Sequence, residues 1–179
     1  VAAKRADFAA IGKEFGIDPV IARLIRNRDV QDRDEIHRHL YGKVDELASP
    51  HLMKDVDKAV EILRNKIKEK KRIRIIGDYD IDGVVSTFIL IKGLKRAGAL
   101  ADTYIPDRVA DGYGIHEHLI ERAANDGIDV IVTCDNGIAA YNEITMAKEK
   151  GMMVIITDHH EIPYKETEDG RELILPPAD

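Results

Sequence analysis

Residues 72–83 read RIRIIGDYDIDG. The isoleucine-rich segment 73–76, which ends at a glycine, is typical of a buried β-strand. Three aspartates follow it at alternate positions: Asp78, Asp80 and Asp82. In open parallel sheets the functional groups gather just beyond the carboxyl ends of the strands. This stretch therefore predicts both a strand and a candidate site at its end.

The rest of this half of the chain alternates between two patterns. Short β-branched runs predict further strands over residues 103–105, 130–133 and 154–157. Stretches suited to helices lie between them, over 84–96, 116–125 and 139–150. Alternating strands and helices predict an α/β fold, a parallel sheet with right-handed crossovers and helices on both faces.

Two more of these strand ends carry unusual residues. Asp135-Asn136-Gly137 follows the strand at 130–133, and Asp158-His159-His160 follows the strand at 154–157. Carboxylates crowded at one edge raise one another's pKa values and destabilise a fold unless a cation neutralises them. Oxygen ligands suit Mg²⁺ or Mn²⁺, and the imidazoles favour Mn²⁺. Two ions about 3.5–4 Å apart, bridged by Asp135, would clamp a scissile phosphate.

Each motif also has an ordinary interpretation. The first loop is not half of an EF-hand, because Ile89 stands where that pattern needs a glutamate. Asp135 taken alone favours a helix N-cap. The combination of three such loops at predicted strand ends favours a functional site.

The first 71 residues predict a small helical region. Asp18-Pro19 and Asp32 resemble helix N-caps, and residues 56–67 show the spacing of a longer helix. Residues 1–75 hold 18 basic and 13 acidic residues, whereas residues 76–179 hold 9 and 20. The domain boundary is therefore expected near Lys71, with domains at 1–71 and 72–179.

Composition limits the class of protein. Of the 179 residues, 44% are hydrophobic and 34% charged, and there is no apolar run of about 18 residues. We expect a cytoplasmic protein with no membrane contact. The lone cysteine, Cys134, excludes an intramolecular disulfide and a cysteine-based zinc site. Residues 166–170 predict a solvated turn, and residues 173–177 predict the start of another strand in a longer protein.

The three loops together resemble motifs I, II and III of the DHH phosphoesterase superfamily. The Asp-Tyr-Asp form of the first motif and the helical lead-in resemble its bacterial single-stranded-DNA-specific 5′→3′ exonucleases. This resemblance implies metal-dependent phosphodiester hydrolysis in recombination and repair, with two Mn²⁺ or Mg²⁺ ions. It also implies single-stranded DNA as substrate, and single-strand-binding protein and a helicase as partners.

The resemblance also implies a role for each matching residue. Asp78, Asp80 and Asp135 would hold one metal, and Asp82, Asp135 and His159 the other. The catalytic pair would be His160, facing the scissile phosphate, and Asp158, orienting His159.

Two further residues have alternative interpretations. Arg108 would contact phosphate, with a surface ion pair as an equal alternative. Ser86 would lie at a helix start that favours anions, although helix capping is the favoured role there.

The family's fourth motif and closing domain do not follow, so the domain at 72–179 is expected to be truncated and weak or inactive by itself. One alternative is another branch of the superfamily, a nanoRNA or cyclic-dinucleotide phosphodiesterase or a pyrophosphatase. The other is a non-catalytic DNA-binding scaffold.

Overall fold

The computed structural model describes residues 5–167 and 170–179. The chain divides into two compact units, residues 1–53 and 54–179. The first unit is helical, with α1 (Phe8–Phe15), α2 (Pro19–Asn27), α3 (Arg33–Tyr41) and two short 3₁₀ turns at Val44–Glu46 and Pro50–Leu52. The predicted caps are confirmed, because Asp18 accepts from the amide of Val20 and Asp32 from that of Glu35, each at 2.8 Å.

The second unit is an α/β sheet domain. Its elements are α4 (Val56–Lys68), β1 (Arg72–Ile76), α5 (Ile81–Arg96), β2 (Leu100–Tyr104), α6 (Glu117–Asn125), β3 (Val130–Cys134), α7 (Tyr141–Glu149), β4 (Met153–Thr157), β5 (Tyr164–Thr167) and β6 (Gly170–Leu173). Within the described residues, β1 to β4 form one parallel sheet in the order β2-β1-β3-β4. The predicted fold class is confirmed.

Helices cover both faces of this sheet. Ile73 and Ile75 of β1 point to one face and Ile76 to the other, as the period of two requires. Helices α4 and α5 pack on the first face, where Leu94 is buried. Helices α6 and α7 pack on the second, where Ile120 is fully buried. Because α4 packs on the sheet, it belongs to the second unit, and the boundary at residue 71 stays a proposal for where the sheet-forming domain begins.

The strand order fixes where the loops separate. The chain leaves β1 toward β2 at one edge and later enters β3 on the opposite side of β1. The loops after β1 and β3 therefore diverge and leave a crevice between them, at the carboxyl edge of the sheet. Such a topological switch point is where open α/β sheets bind their ligands.

The main differences from the sequence-based expectations concern α5, β2 and the chain after β4. Helix α5 begins at Ile81 rather than residue 84, because Asp80 caps it, and β2 begins at Leu100 rather than residue 103. An antiparallel hairpin of β5 and β6 was not anticipated, so Leu173 ends a strand instead of starting one. Two residues of the turn predicted over 166–170, residues 168 and 169, lie outside the described residues.

Among the described helices, none is both long enough and apolar enough to cross a bilayer.

A buried arginine joins β1 to its neighbours. Arg74, 8% exposed, donates to both carboxylate oxygens of Asp102 on β2, at 2.8 and 2.7 Å, and to Asp126 at 2.8 Å. Arg74 and Asp102 are direct partners in the β1–β2 register. The bond from Arg74 holds the pKa of Asp126 below its usual range.

We expect the Arg74→Met variant to lose stability at neutral pH and to respond less to acid than the parent. The stabilisation linked to the lowered pKa of Asp126 is present above the ordinary carboxyl pKa of about 3.9 and disappears as the pH falls through the lowered value. The variant lacks the guanidinium of Arg74, so this dependence of its stability on pH is absent. Thermal midpoints of both proteins from pH 7 to pH 3 measure the difference. Arg64→Met is the control, because Arg64 is an exposed residue of α4. Parallel acid profiles for Arg74→Met and the parent would contradict this expectation.

Candidate metal centre at the strand ends

Side chains from three strand ends meet at the crevice. Possible ligand atoms of Asp78, Asp80 and Asp135 lie within 4.8 Å of one another. A second group with the same spacing comprises Asp135, His159 and His160. Asp135 belongs to both groups, which is the arrangement expected of a bridging carboxylate.

The backbone around the first loop sets these positions. Asp80 is the N-cap of α5, and its carboxylate accepts from the amide of Gly83 at 2.9 Å. Asp78 is 2% exposed, and its Oδ1 has no hydrogen-bond partner among the described residues. A buried carboxylate oxygen without a donor is costly, and a cation would satisfy it.

Asp135 has a strained backbone and an unfavourable electrostatic environment. Its φ is 60°, in the left-handed region that aspartate and asparagine tolerate better than most residues. Burial raises the pKa of Asp135, and the charge of Asp80 raises it further, while His159 opposes the shift. Nε2 of His159 lies 2.8 Å from Oδ1 of Asp135, yet the two atoms do not meet hydrogen-bond geometry. The raised pKa of Asp135 and its close approach to His159 without a hydrogen bond both fit two ligands that share a cation.

Asn136 ties two of the three loops together, a role that the sequence analysis did not assign. Its Nδ2 donates to the carbonyl of Gly77 at 2.8 Å, and the side chain is 1% exposed. Thr133 donates to the carbonyl of Asn136 at 2.8 Å, which fixes the turn after β3. An asparagine beside a strand-end aspartate is the signal that could have drawn attention to it.

The Asn136→Ala variant should lose about 1–3 kcal/mol of folding free energy, because the buried carbonyl of Gly77 loses its donor. Its Mn²⁺ affinity should fall too, since the loops after β1 and β3 are no longer joined. Urea unfolding and Mn²⁺ binding measure the two effects. Asn65→Ala, at an exposed site on α4, should change neither. Equal stability of the two variants would exclude this role for Asn136.

Asp158 organises the histidine pair. Its side chain is 3% exposed and accepts from the backbone amides of Ile138, His159 and His160 at 2.9, 2.8 and 3.1 Å. The ring Nδ1 of His160 lies 2.6 Å from the same carboxylate. Burial acts to raise the pKa of Asp158, but these hydrogen bonds outweigh it and lower that pKa. The hydrogen bond that His160 donates to Asp158 raises the pKa of His160.

This arrangement differs in one respect from the expected role of Asp158. Its carboxylate holds the ring of His160 and reaches His159 only through the backbone amide. The ring of His159 instead faces Asp135.

Asp82 lies in neither ligand group of the described residues. It is exposed in the first turn of α5 and lines a cleft of about 500 Å³ together with Asp135 and His159. Ser86 lines the same cleft, but it lies in the second turn of α5, and its hydroxyl donates to the carbonyl of Asp82 at 2.5 Å. The expected position of Ser86 at the helix start is therefore wrong.

Arg108 lies beside the first loop. Its guanidinium carbon is 5.4 Å from the centre of the Tyr79 ring, a cation–π contact. Tyr79 stands between Asp78 and Asp80 in the chain, so this contact places an exposed positive charge next to the carboxylate cluster.

Comparisons with known proteins agree with this geometry. The sequence model described as "DHH family, N-terminal domain" matches residues 72–178. The chain is 36% identical over 93% of its length to "Single-stranded-DNA-specific exonuclease RecJ" of Bacillus subtilis (strain 168), and 35% identical over 80% to the protein of that name from Escherichia coli (strain K12). It spans 21% and 24% of the lengths of these two relatives.

Solved structures give the same result. A crystal structure of exonuclease RecJ bound to manganese matches 74% of this chain and 31% of its own, with a TM-score of 0.63 and 35% identity. RecJ of Thermus thermophilus in complex with Mn²⁺ matches 96% of this chain and 22% of its own, with a TM-score of 0.63 and 26% identity.

Proposed function

The chain belongs to the DHH family, and on that premise we propose that it carries metal-binding residues of an exonuclease that degrades single-stranded DNA from the 5′ end in recombination and repair. The single observation that carries this proposal is the convergence of Asp78, Asp80, Asp135 and His159 at one edge of the sheet. The RecJ relatives support the substrate, since they are named as specific for single-stranded DNA.

The residues present fit a divalent cation. Carboxylate oxygens with one imidazole are the donors that Mn²⁺ accepts, and the oxygens also suit Mg²⁺. The unpartnered Oδ1 of Asp78 and the raised pKa of Asp135 are the defects that such an ion would remove. When bound, a pair of ions would polarise the phosphate and make an attacking water more acidic. We assign Asp78, Asp80 and Asp135 to one ion and Asp135 with His159 to the other, with Asp82 as a ligand only if its helix turn moves.

The remaining residues orient the substrate. His160 faces the scissile phosphate and supplies a proton to the leaving oxygen, while Asp158 holds its ring. Arg108 binds a phosphate of the strand, because its charge is exposed beside the cluster. Ser86 contributes to the cleft wall and contacts the strand there.

Hydrolysis of end-labelled oligonucleotides tests the proposal. With Mn²⁺, the chain should release mononucleotides from the 5′ end of a single strand and leave the matching duplex intact. We expect slow turnover, because Asp82 lies outside both ligand groups of the described residues. Asp135→Asn is the matched inactive control.

Two results would contradict the proposal. Faster hydrolysis of a cyclic dinucleotide, a dinucleotide or pyrophosphate would favour another branch of the superfamily. DNA binding that is independent of Mn²⁺, without any hydrolysis, would favour a scaffold. The partners we propose beyond DNA are single-strand-binding protein and a helicase, and we propose the cytoplasm as its location. Both proposals rest on the family resemblance.

A further inference from the structure

The turn that follows β2 is closed by hydrogen bonds between Asp107 and Asp111. The carboxylate of Asp107 accepts from the amides of Val109 and Ala110, both at 2.8 Å. The amide of Asp107 donates to Oδ2 of Asp111 at 2.7 Å, and the amide of Asp111 donates to the carbonyl of Asp107 at 2.9 Å. Arg108 lies inside this turn, so its backbone is held by hydrogen bonds on both sides.

Asp111 also joins this turn to the elements on either side of it. Its side chain is 12% exposed, and Nε2 of His118, in the first turn of α6, lies 2.9 Å from Oδ1. The hydroxyl of Tyr104, the last residue of β2, lies 3.4 Å from Oδ2, a weaker contact. The carbonyl of Tyr104 accepts from the amide of Gly77, where the first aspartate-containing loop begins. One carboxylate thus connects the turn that carries Arg108 to a loop of the metal centre.

The side chain of Arg108 extends from this turn toward the metal centre. Its guanidinium carbon lies 5.4 Å from the centre of the Tyr79 ring. Within the described part of the chain, no carboxylate forms an ion pair with Arg108, so its positive charge is available to an anion. The position of this charge therefore depends on the turn rather than on a charged partner.

We propose that Asp111 is a positioning residue for the DNA strand, which holds Arg108 in place for a phosphate before the strand binds. Its carboxylate does not touch the strand and acts through the turn. An arginine that is already ordered loses less conformational entropy on binding, so the strand is bound more tightly. This inference rests on the proposed function, because it assumes that Arg108 contacts a phosphate.

The sign of the expected effect separates this role from simple electrostatics. Asp111 is a negative charge near a site for an anion, and the loss of that charge would by itself tighten DNA binding. Asp111→Asn removes the charge but keeps an oxygen that can accept from the amide of Asp107. Asp111→Ala removes the charge and the acceptor together, so the turn opens. We expect Asp111→Asn to bind at least as tightly as the parent and Asp111→Ala to bind about fivefold more weakly.

Fluorescence anisotropy of a labelled single strand with phosphorothioate linkages, which resist hydrolysis, measures these affinities in the presence of Mn²⁺. Glu117→Gln is the matched control for charge, because Glu117 is exposed at the start of α6. It should bind at least as tightly as the parent. Mn²⁺ titration without DNA should give the same affinity for the parent and Asp111→Ala, since Asp111 belongs to neither ligand group of the described residues.

A double-mutant comparison tests the route through Arg108. Arg108→Gln should weaken binding by itself, because the phosphate loses its charged partner. In that background Asp111→Ala should cause no further loss, because the side chain that Asp111 positions is gone. A purely structural role of Asp111 would instead lower the affinity by the same factor in both backgrounds.

The outcomes separate this inference from the proposed function. If Asp111→Ala binds as tightly as Asp111→Asn, or loses the same factor in both backgrounds, the role of Asp111 is overturned and the proposed function stands. If Arg108→Gln binds like the parent, the phosphate contact of Arg108 is disproved, and this inference with it. If the parent does not bind the strand, the proposed function fails as well. If Asp111→Ala proves unfolded by circular dichroism, Asp107→Ala opens the same turn at an exposed residue, and binding as tight as the parent's would overturn the inference.

Discussion

Replacing Asp135 by asparagine should greatly weaken metal binding while making the metal-free chain more stable. The carboxylate belongs to both ligand groups, so its loss removes one donor from each ion and should weaken Mn²⁺ binding by about 100-fold or more. The stabilisation has a separate cause. Burial and the charge of Asp80 raise the pKa of Asp135, so the folded chain holds that negative charge at a cost. Asparagine has the same shape, carries no charge and accepts a φ of 60° at least as well.

The sign of the pH dependence follows from the same shift. Because the folded-state pKa of Asp135 is raised, the contribution of this group to stability is fully present below the ordinary carboxyl pKa and is lost as the pH rises through the raised value. The thermal midpoint of Asp135→Asn should exceed that of the parent at pH 7, and the difference should shrink near pH 4. Calorimetry without metal and Mn²⁺ titration measure the two effects.

Asp55→Asn is the matched control for this variant. Asp55 has a φ of 57°, is exposed at the start of α4 and belongs to neither ligand group. Its substitution should leave Mn²⁺ affinity unchanged. If Asp135→Asn kept the parent's Mn²⁺ affinity, the bridging position of Asp135 would be disproved, and the proposed function would lose its main support.

The parallel sheet was predictable because its strands are buried on both faces and read as short apolar runs. Strand β2 was the exception, since Asp102 interrupts the run, and only the structure shows that its charge is compensated by Arg74 across the strand pair. A single charged residue can therefore prevent half of an edge strand from being recognised in the sequence pattern.

The site was predictable in outline but not in its details. The alternate spacing of Asp78, Asp80 and Asp82 implies that their three side chains point the same way, as they would in an extended loop. The chain instead becomes helical at Ile81, and in a helix residues two apart point to nearly opposite sides. Asp82 therefore separates from the other two. The contact of the Tyr113 hydroxyl with the His160 ring joins segments that no local pattern connects.

The contact between α5 and the first loop leads to the last prediction, for Gly83→Ala. A Cβ at Gly83 would lie 2.5 Å from the carbonyl oxygen of Asp78 and 2.7 Å from its Cα, both backbone atoms that cannot rotate away. Alanine normally favours a helix over glycine by about 1 kcal/mol, but this clash should outweigh that gain and leave a net loss of about 2 kcal/mol. Mn²⁺ affinity should fall as well, because relieving the clash displaces Asp78 from Asp135.

Gly93→Ala in the same helix provides the control. Nothing lies within 4 Å of a Cβ built at Gly93, so this variant should gain up to about 1 kcal/mol and keep its Mn²⁺ affinity. Urea unfolding of both variants, with and without Mn²⁺, compares them directly. If Gly83→Ala were stabilised to the same extent as Gly93→Ala, the close approach of α5 to the Asp78 loop would be wrong. In that case something else would have to hold Asp78 in the ligand cluster. The close contact at Gly83 is what we infer to hold the start of α5 against the loop that carries Asp78 and Asp80.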